Sequence, residues 1–203
     1  RSFRRCVSDM ADGDYLGEEA IDNDCFEPVD DAIRVRLGVQ GDALAVDFTG
    51  TAPQVRGFKN SSVANTWSAV YMALASYFDP DLPRNEGTFR CVTITAPEGT
   101  IINAKPPAAM TMNTVFVAHE IVHAIWKALN KAVPERSCAG WAKAVHGTTS
   151  GRLGEESPFV MYHWNSAPGG GAVDGRDGFN QIGHLIALGG LVLPNVETYE
   201  QLY

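Results

Sequence analysis

Two short segments of alternating apolar and polar residues, joined by a turn, constrain the fold of this chain most. Residues 33–39 (IRVRLGV) and 43–48 (ALAVDF) alternate in this way, and Gln40, Gly41 and Asp42 lie between them. A period of two places every second side chain on one face of a strand. A short glycine-containing connection typically joins two antiparallel strands. The sequence therefore predicts a β-hairpin over residues 33–48 with one face buried.

Two longer segments have the period of amphipathic helices. Residues 62–78 and residues 114–131 both repeat apolar side chains at spacings of three and four, and Val133-Pro134 follows the second segment. Such spacing places the apolar side chains on one side of a helix. Four residues able to cap a first turn precede or begin these segments: Ser61, Ser62, Asn113 and Thr114. We expect two helices whose apolar sides pack against other elements.

Further strands are predicted where β-branched and aromatic residues cluster. Residues 89–95 (FRCVTIT) and 158–164 (PFVMYHW) have this composition, which suits a pleated, half-buried surface. The small residues of segment 178–193, after the glycine-rich run 168–171, indicate tight packing. Together these patterns predict an α+β fold, in which a β-hairpin and mixed strands pack against two or more amphipathic helices.

A His-Glu-x-x-His sequence lies within the second predicted helix. His119 and His123 are four residues apart with Glu120 between them, which is the pattern of zinc peptidases, where two imidazoles bind the metal and the glutamate activates its water. A third ligand is missing, because Ala-Ile-Trp-Lys-Ala-Leu follows the second histidine. We expect His119 at the edge of the apolar stripe, and Glu120 and His123 towards the polar side. A histidine hydrogen-bonded to a neighbouring element needs no metal, so a zinc peptidase is the least favoured function.

The charge balance and the apolar runs exclude two classes of partner. The 24 acidic residues against 16 lysines and arginines give a net charge of −8, whereas a nucleic-acid-binding protein needs a basic face. No apolar run approaches the ~18 residues that a membrane span requires. The four cysteines, at positions 6, 25, 91 and 138, have neither C-x-x-C nor zinc-type spacing. We therefore predict reduced thiols and a cytoplasmic location.

Neither end of the chain has a typical terminal pattern. The first residue is Arg1 rather than methionine, and the last residues continue a pattern typical of the middle of a structure. We expect residues 1–203 to be a single fragment of a larger subunit, truncated at both ends.

Several strings, taken in order, resemble the hydantoinase B family. They are residues 46–54 (VDFTGTAPQ), 77–89 (YFDPDLPRNEGTF) and 96–109 (APEGTIINAKPPAA), followed by matches at 158–162, 177–180 and 194–197. This family also includes the second half of 5-oxoprolinase and the related large subunit of acetone and acetophenone carboxylases. The resemblance covers nearly the whole chain from about residue 35 onward.

The resemblance implies a subunit that works beside an ATP-binding, hydantoinase A-type partner in a hetero-oligomer with the remainder of the hydantoinase B-type chain. In this picture ATP-Mg binds the partner, which phosphorylates an amide or enol oxygen of the substrate. A divalent metal belongs to an N-terminal half outside this sequence, and no cofactor binds this segment. The implied reaction is ATP-dependent opening of a cyclic amide such as hydantoin, N-methylhydantoin or 5-oxoproline. The alternatives are a subunit of a biotin-independent ketone carboxylase and a non-catalytic assembly segment.

The resemblance assigns no catalytic residue and no metal ligand, but it indicates positions that could line a substrate pocket. Asn113 matches an asparagine of the family, whereas His119 and Glu120 replace a Gln-Arg pair. This departure leaves open whether the substrate is a lactam or a ketone. For each candidate the alternative is a role in a turn or cap. The candidates are Asp47, Thr49, Asn60, Asn65, Asn103, Asn113, His119 and His123.

Overall fold

The computed structural model describes residues 2–78, 81–111, 113–141, 145–153, 157–166 and 169–179. The chain divides into two compact units, Arg1–Cys138 and Ala139–Tyr203.

The first unit contains a four-stranded mixed sheet. Its strands are β1 (Gly13–Asn23), β2 (Pro28–Gln40), β3 (Ala43–Asp47) and β4 (Val92–Thr95), and they lie in that order across the sheet. Strand β2 is antiparallel to both β1 and β3, whereas β4 runs parallel to β3. The predicted hairpin is confirmed as β2 and β3. Its turn uses Gly41 at φ 59°, a left-handed conformation that glycine adopts without steric cost.

Within the described residues of this unit, four helices accompany the sheet. They are α1 (Phe3–Ser8), α2 (Val63–Tyr77), α3 (Glu86–Phe89) and α4 (Phe116–Ala132), and a 3₁₀ turn follows at Pro134–Arg136. Helix α4 packs across β1 and β2, and α2 packs against α4. Both predicted amphipathic helices, and with them the α+β class, are therefore confirmed.

The N-cap predicted for α2 is confirmed, but the N-cap predicted for α4 is not. The Ser62 hydroxyl oxygen accepts a hydrogen bond from the backbone N–H of Asn65, so Ser62 is the N-cap of α2. The N-cap of α4 is Val115, whose side chain makes no capping bond. The predicted cap at Asn113 or Thr114 is therefore wrong. The strand predicted over 89–95 is shorter, because Phe89 ends α3 and the strand begins at Val92.

The core of the first unit lies between the sheet and α4. Alternate side chains of β2 and β3 are buried on one face of the sheet, and the apolar side chains of α4, which packs across β1 and β2, are buried as well. Each buried side chain contributes about 1.5–3 kcal/mol of hydrophobic stabilisation. These side chains include Ile33, Val35, Leu37, Leu44, Val46, Ile121, Ile125 and Leu129. The α4 backbone comes closest to β1 at Gly17, where an added Cβ would lie 1.9 Å from the carbonyl oxygen of Ala124.

The second unit contains an antiparallel pair, β5 (Val145–Leu153) and β6 (Ser157–Ser166). The strand predicted over 158–164 is confirmed as part of β6. The tight packing predicted for segment 178–193 falls almost entirely outside the described residues. None of the helices in the described part of the chain combines the length and the apolar character that crossing a membrane requires.

Candidate functional site

Asn60 is the centre of a loop cluster at the start of α2. Its side chain is fully buried, and its Nδ2 donates to the carbonyl oxygens of Val55 at 3.0 Å, Gly57 at 2.9 Å and Ala109 at 2.8 Å. Its Oδ1 accepts from the N–H of Val55 at 2.9 Å. Both ends of the amide are engaged by backbone groups. Asn60 therefore ties the loop at 55–60 to the segment that leads into α4.

Asn65 and Asn113 are brought together in the same cluster. Nδ2 of Asn65 donates to Oγ of Ser61 at 2.8 Å and to the carbonyl oxygen of Asn113 at 3.0 Å. The same carbonyl accepts from the N–H of Ala118 at 3.1 Å. Asn65 thus anchors the entry to α4, which has no side-chain cap of its own. Within the described residues, the half-buried side-chain amide of Asn113 makes no hydrogen bond, so it is the asparagine of this cluster best able to contact a substrate.

Asn103 has a bracing role. Its Nδ2 donates to the carbonyl oxygen of Ala96 at 2.8 Å, and its backbone N–H donates to Thr100 at 3.0 Å. These bonds close the turn that precedes the segment at 104–111. Four of the eight predicted candidates therefore lie around the start of α2, and three of them hold backbone segments in place. They are Asn60, Asn103 and Asn113 in the loops and Asn65 in the first turn of the helix.

Asp47 and Thr49 lie at the end of β3, on the sheet face opposite α4. Backbone N–H and hydroxyl of Thr49 donate to Oδ1 of Asp47 at 2.9 and 2.7 Å, and the Arg36 guanidinium reaches Oδ2 at 2.9 Å. The Thr49 hydroxyl and the Arg36 side chain lower the pKa of Asp47 below its ordinary value. Asp47 is therefore an ionised carboxylate near neutral pH and closes a turn, which does not suit a proton-transfer role.

The His-Glu-x-x-His residues of α4 lie inside the core. His119, Glu120 and His123 are 1%, 4% and 6% exposed. The expectation that Glu120 and His123 shade towards a polar side is wrong. The reason is that β1, which the sequence did not predict, covers this side of α4.

The contacts of the two histidines connect α4 to itself and to β1. Nδ1 of His119 contacts the carbonyl oxygen of Val115. Nδ1 of His123 lies 3.9 Å from Oε1 of Glu19, whose Oε2 accepts from Nζ of Lys127 at 2.7 Å. In the described part of the chain, Nε2 of His123 is buried without a hydrogen bond, and no three His, Cys, Asp or Glu side chains are arranged to hold a metal ion. We therefore derive no metal-dependent step from these residues.

The sequence reasoning did not single out Asp24, a buried carboxylate between β1 and β2. Its oxygens accept from the backbone N–H groups of Phe26 at 2.8 Å, Glu27 at 2.9 Å and Gly57 at 2.7 Å. Hydrogen bonds from the Glu27 and Phe26 backbone, and then from Gly57, lower the pKa of Asp24. An Asp ahead of a Pro-containing turn signals such a local bond, but not the long-range bond to Gly57. Asp24 fixes the β1–β2 turn against the loop cluster.

The model of the family described as Hydantoinase B/oxoprolinase matches residues 1–203. The chain is 30% identical to caprolactamase subunit beta of Pseudomonas jessenii over 207 residues, covering 100% of this chain and 36% of that subunit. It is 25% identical to 5-oxoprolinase of Saccharomyces cerevisiae over 159 residues, covering 78% of this chain and 12% of that protein. The chain thus spans 36% of the length of the first relative and 12% of the second.

The solved structures that resemble the chain include a caprolactamase and an acetone carboxylase. The crystal structure of the ATP-dependent caprolactamase of Pseudomonas jessenii matches with a TM-score of 0.81 and 30% identity, over 99% of this chain and 35% of that one. A nucleotide-free acetone carboxylase matches with a TM-score of 0.76 and 17% identity, over 97% of this chain and 28% of that one. The second likeness shows the fold alone. With the family match over its full length, the chain belongs to the hydantoinase B/oxoprolinase family, as the strings at 46–54, 77–89 and 96–109 had indicated.

Proposed function

We propose that this chain is part of the hydantoinase B-type subunit of an enzyme that opens cyclic amides at the expense of ATP. The observation that carries the proposal is the 30% identity to caprolactamase subunit beta over the whole chain. The 5-oxoprolinase relative is also named for action on a cyclic amide. Because the chain spans only 36% of the caprolactamase subunit, the activity belongs to the full subunit and its complex.

The chemistry explains why ATP is needed. An unstrained lactam is a poor electrophile, because resonance delocalises the nitrogen lone pair onto the carbonyl oxygen. Transfer of the γ-phosphoryl group to that oxygen removes this delocalisation and makes the oxygen a leaving group. Water adds to the ring carbon of the O-phosphorylated lactam, and the ring C–N bond breaks as the nitrogen leaves as an amine. A second water attacks the carbonyl carbon of the resulting acyl phosphate and displaces phosphate, giving an amino acid, ADP and phosphate. An active site for these reaction steps needs positioned hydrogen-bond donors. We propose that the side-chain amide of Asn113 is one such donor.

The complex contains an ATP-binding subunit of hydantoinase A type together with the remainder of the hydantoinase B-type chain. The designation "subunit beta" of the caprolactamase relative supports a hetero-oligomer. ATP-Mg binds the partner subunit, and a divalent metal binds outside the present sequence. The four cysteines, none of which forms a disulfide, support a cytoplasmic location.

Ketone carboxylation is the alternative reaction of the same architecture. It is less well supported, because the acetone carboxylase likeness has 17% identity and therefore concerns the fold. A purely structural role of this segment within the subunit is compatible with either reaction, and it predicts that residues 1–203 alone turn over no substrate.

The test uses the full-length subunit purified with its ATP-binding partner. The complex receives ATP with caprolactam, 5-oxoproline or hydantoin in separate reactions, and with acetone plus bicarbonate in another. We expect ADP release that depends on one cyclic amide and is matched by its ring-opened product in mass spectrometry. A non-hydrolysable ATP analogue and the partner subunit alone are the controls. ADP release and carboxylated product with acetone, and none with any cyclic amide, would contradict the proposal.

A further inference from the structure

Strand β1 is at the edge of the four-stranded sheet. The strand order is β1-β2-β3-β4, and within the described residues β1 pairs only with β2. The strand is 11 residues long. A long edge strand presents a row of carbonyl and N–H groups that can pair with another strand. The outer side of β1 is therefore a potential pairing surface.

Two lysines of α4 reach this edge. Nζ of Lys131 donates to the carbonyl oxygen of Leu16 at 2.6 Å, and Nζ of Lys127 donates to the carbonyl oxygen of Glu18 at 3.0 Å. Leu16 and Glu18 are two residues apart, so their carbonyls point to the same side of the strand. The lysines are four residues apart and so extend from the same side of α4. Each of these two carbonyl oxygens thus accepts a hydrogen bond from one ammonium group.

Gly17, which lies between Leu16 and Glu18, allows α4 to approach β1 closely enough for both lysines to reach its edge. An added Cβ would lie 1.9 Å from the carbonyl oxygen of Ala124, so the α4 backbone rests directly on β1 at this residue. Lys127 and Lys131 are the two exposed residues of α4, most of whose other residues are buried. Their flexible stems extend past the edge while the charged ends bind the strand.

We propose that Lys127 and Lys131 prevent another strand from pairing with the outer edge of β1, and that a second copy of the chain pairs with this edge when both ammonium groups are removed. The edge is otherwise suited to pairing, because Leu16 is 60% exposed beside the two carbonyls. Antiparallel pairing centred on Gly17 would place Leu16 opposite Glu18 and Asp14 opposite Ala20 of the other copy. No two acidic side chains of the acidic strand would then face each other directly.

The test replaces both lysines by methionine (K127M/K131M) in the full-length subunit and follows its mass by sedimentation velocity over a range of concentrations. Methionine keeps the length and apolar character of the side chain but donates no hydrogen bond. We expect a species of twice the wild-type mass that grows with concentration. The matched control is K127R/K131R, which keeps the donors and should sediment as the wild type. Lys105→Met, which removes a lysine paired with Glu98 elsewhere, should also sediment as the wild type.

A rescue substitution separates edge pairing from general unfolding. Adding Leu16→Glu to K127M/K131M places a carboxylate opposite Glu18 of the other copy in the proposed register. Like charges directly opposite each other destabilise strand pairing, so this change should abolish the association, which unfolding alone would not predict. If the double variant does not accumulate as folded protein, Lys131→Met alone leaves the Lys127–Glu19 pair in place and should show the same association at higher concentration. The proposal is overturned if the methionine variants sediment as the wild type, if the arginine variant associates equally, or if Leu16→Glu has no effect.

Discussion

Replacing Asn60 by alanine should destabilise the first unit more than any other single asparagine substitution in the loop cluster. The buried amide has two N–H protons shared among three carbonyl oxygens, and its Oδ1 accepts one further bond. This amounts to roughly three full hydrogen bonds, each contributing about 1 kcal/mol net. We therefore expect Asn60→Ala to lower the free energy of unfolding by about 3 kcal/mol. For a unit of this size the melting temperature should fall by on the order of 10 °C.

Asn103→Ala is the matched control, because the chemical change is the same but only one side-chain bond, to the carbonyl oxygen of Ala96, is lost. It should cost about 1 kcal/mol. Differential scanning fluorimetry of the full-length subunit measures both shifts under identical conditions. Equal shifts for the two variants, or a smaller shift for Asn60→Ala, would refute the assignment of Asn60 as the main brace of these loops.

Three other substitutions test further parts of the structure. Gly17→Ala should destabilise the unit by about 1–3 kcal/mol through overpacking against Ala124, whereas Gly38→Ala, whose added Cβ would have 3.3 Å to its nearest neighbour, should cost less in the same thermal melt. Asn113→Ala should leave the melting temperature nearly unchanged but lower kcat for ATP-dependent ring opening at least about tenfold; a normal kcat would remove Asn113 from the site. Asp24→Asn should destabilise at neutral pH, because the lowered pKa of Asp24 means that the folded state favours the ionised form. That stability is present above the ordinary Asp pKa of about 3.9 and is lost as the pH falls through the lower folded value. The difference in free energy of unfolding between wild type and variant, measured by urea unfolding, should therefore disappear in acid. A difference that stays constant with pH would count against this reasoning.

The elements that the sequence predicts correctly are those whose pattern is local. The hairpin of β2 and β3 alternates strictly and has a glycine turn, and α2 has both a helical stripe and Ser62 as its cap. Each of these signals is read within about fifteen residues, so no knowledge of tertiary contacts is needed.

Strand β1 was missed because two of its core-facing positions are not apolar. Gly17 and Glu19 occupy these positions, since the helix backbone lies against the glycine and the glutamate pairs with Lys127. Without β1, the side of α4 that carries Glu120 and His123 looked solvent-exposed. One missed strand therefore produced the wrong burial for two of the three residues of the His-Glu-x-x-His pattern.

The roles of the candidate residues depend on contacts between distant parts of the chain. The resemblance indicated Asn60, Asn65, Asn103 and Asn113 as a set, but it did not show which of them bind backbone and which keep a free amide. Asn60 bonds to Ala109, and Asn65 bonds to Asn113, across about 49 and 48 residues of sequence. Only the contacts of the folded chain distinguish the three asparagines that bind backbone groups from Asn113, whose side-chain amide makes no hydrogen bond within the described residues.

The fate of the amide oxygen tests the proposed function most directly. Caprolactam, or another cyclic amide that the complex accepts, is labelled with oxygen-18 at its carbonyl and incubated with ATP and the complete complex. If the amide oxygen is phosphorylated before the ring opens, the released phosphate should carry one labelled oxygen, as seen by mass spectrometry or by the isotope shift in phosphorus NMR. Ring opening with the label confined to the amino acid carboxylate, or ring opening without ATP, would contradict the account.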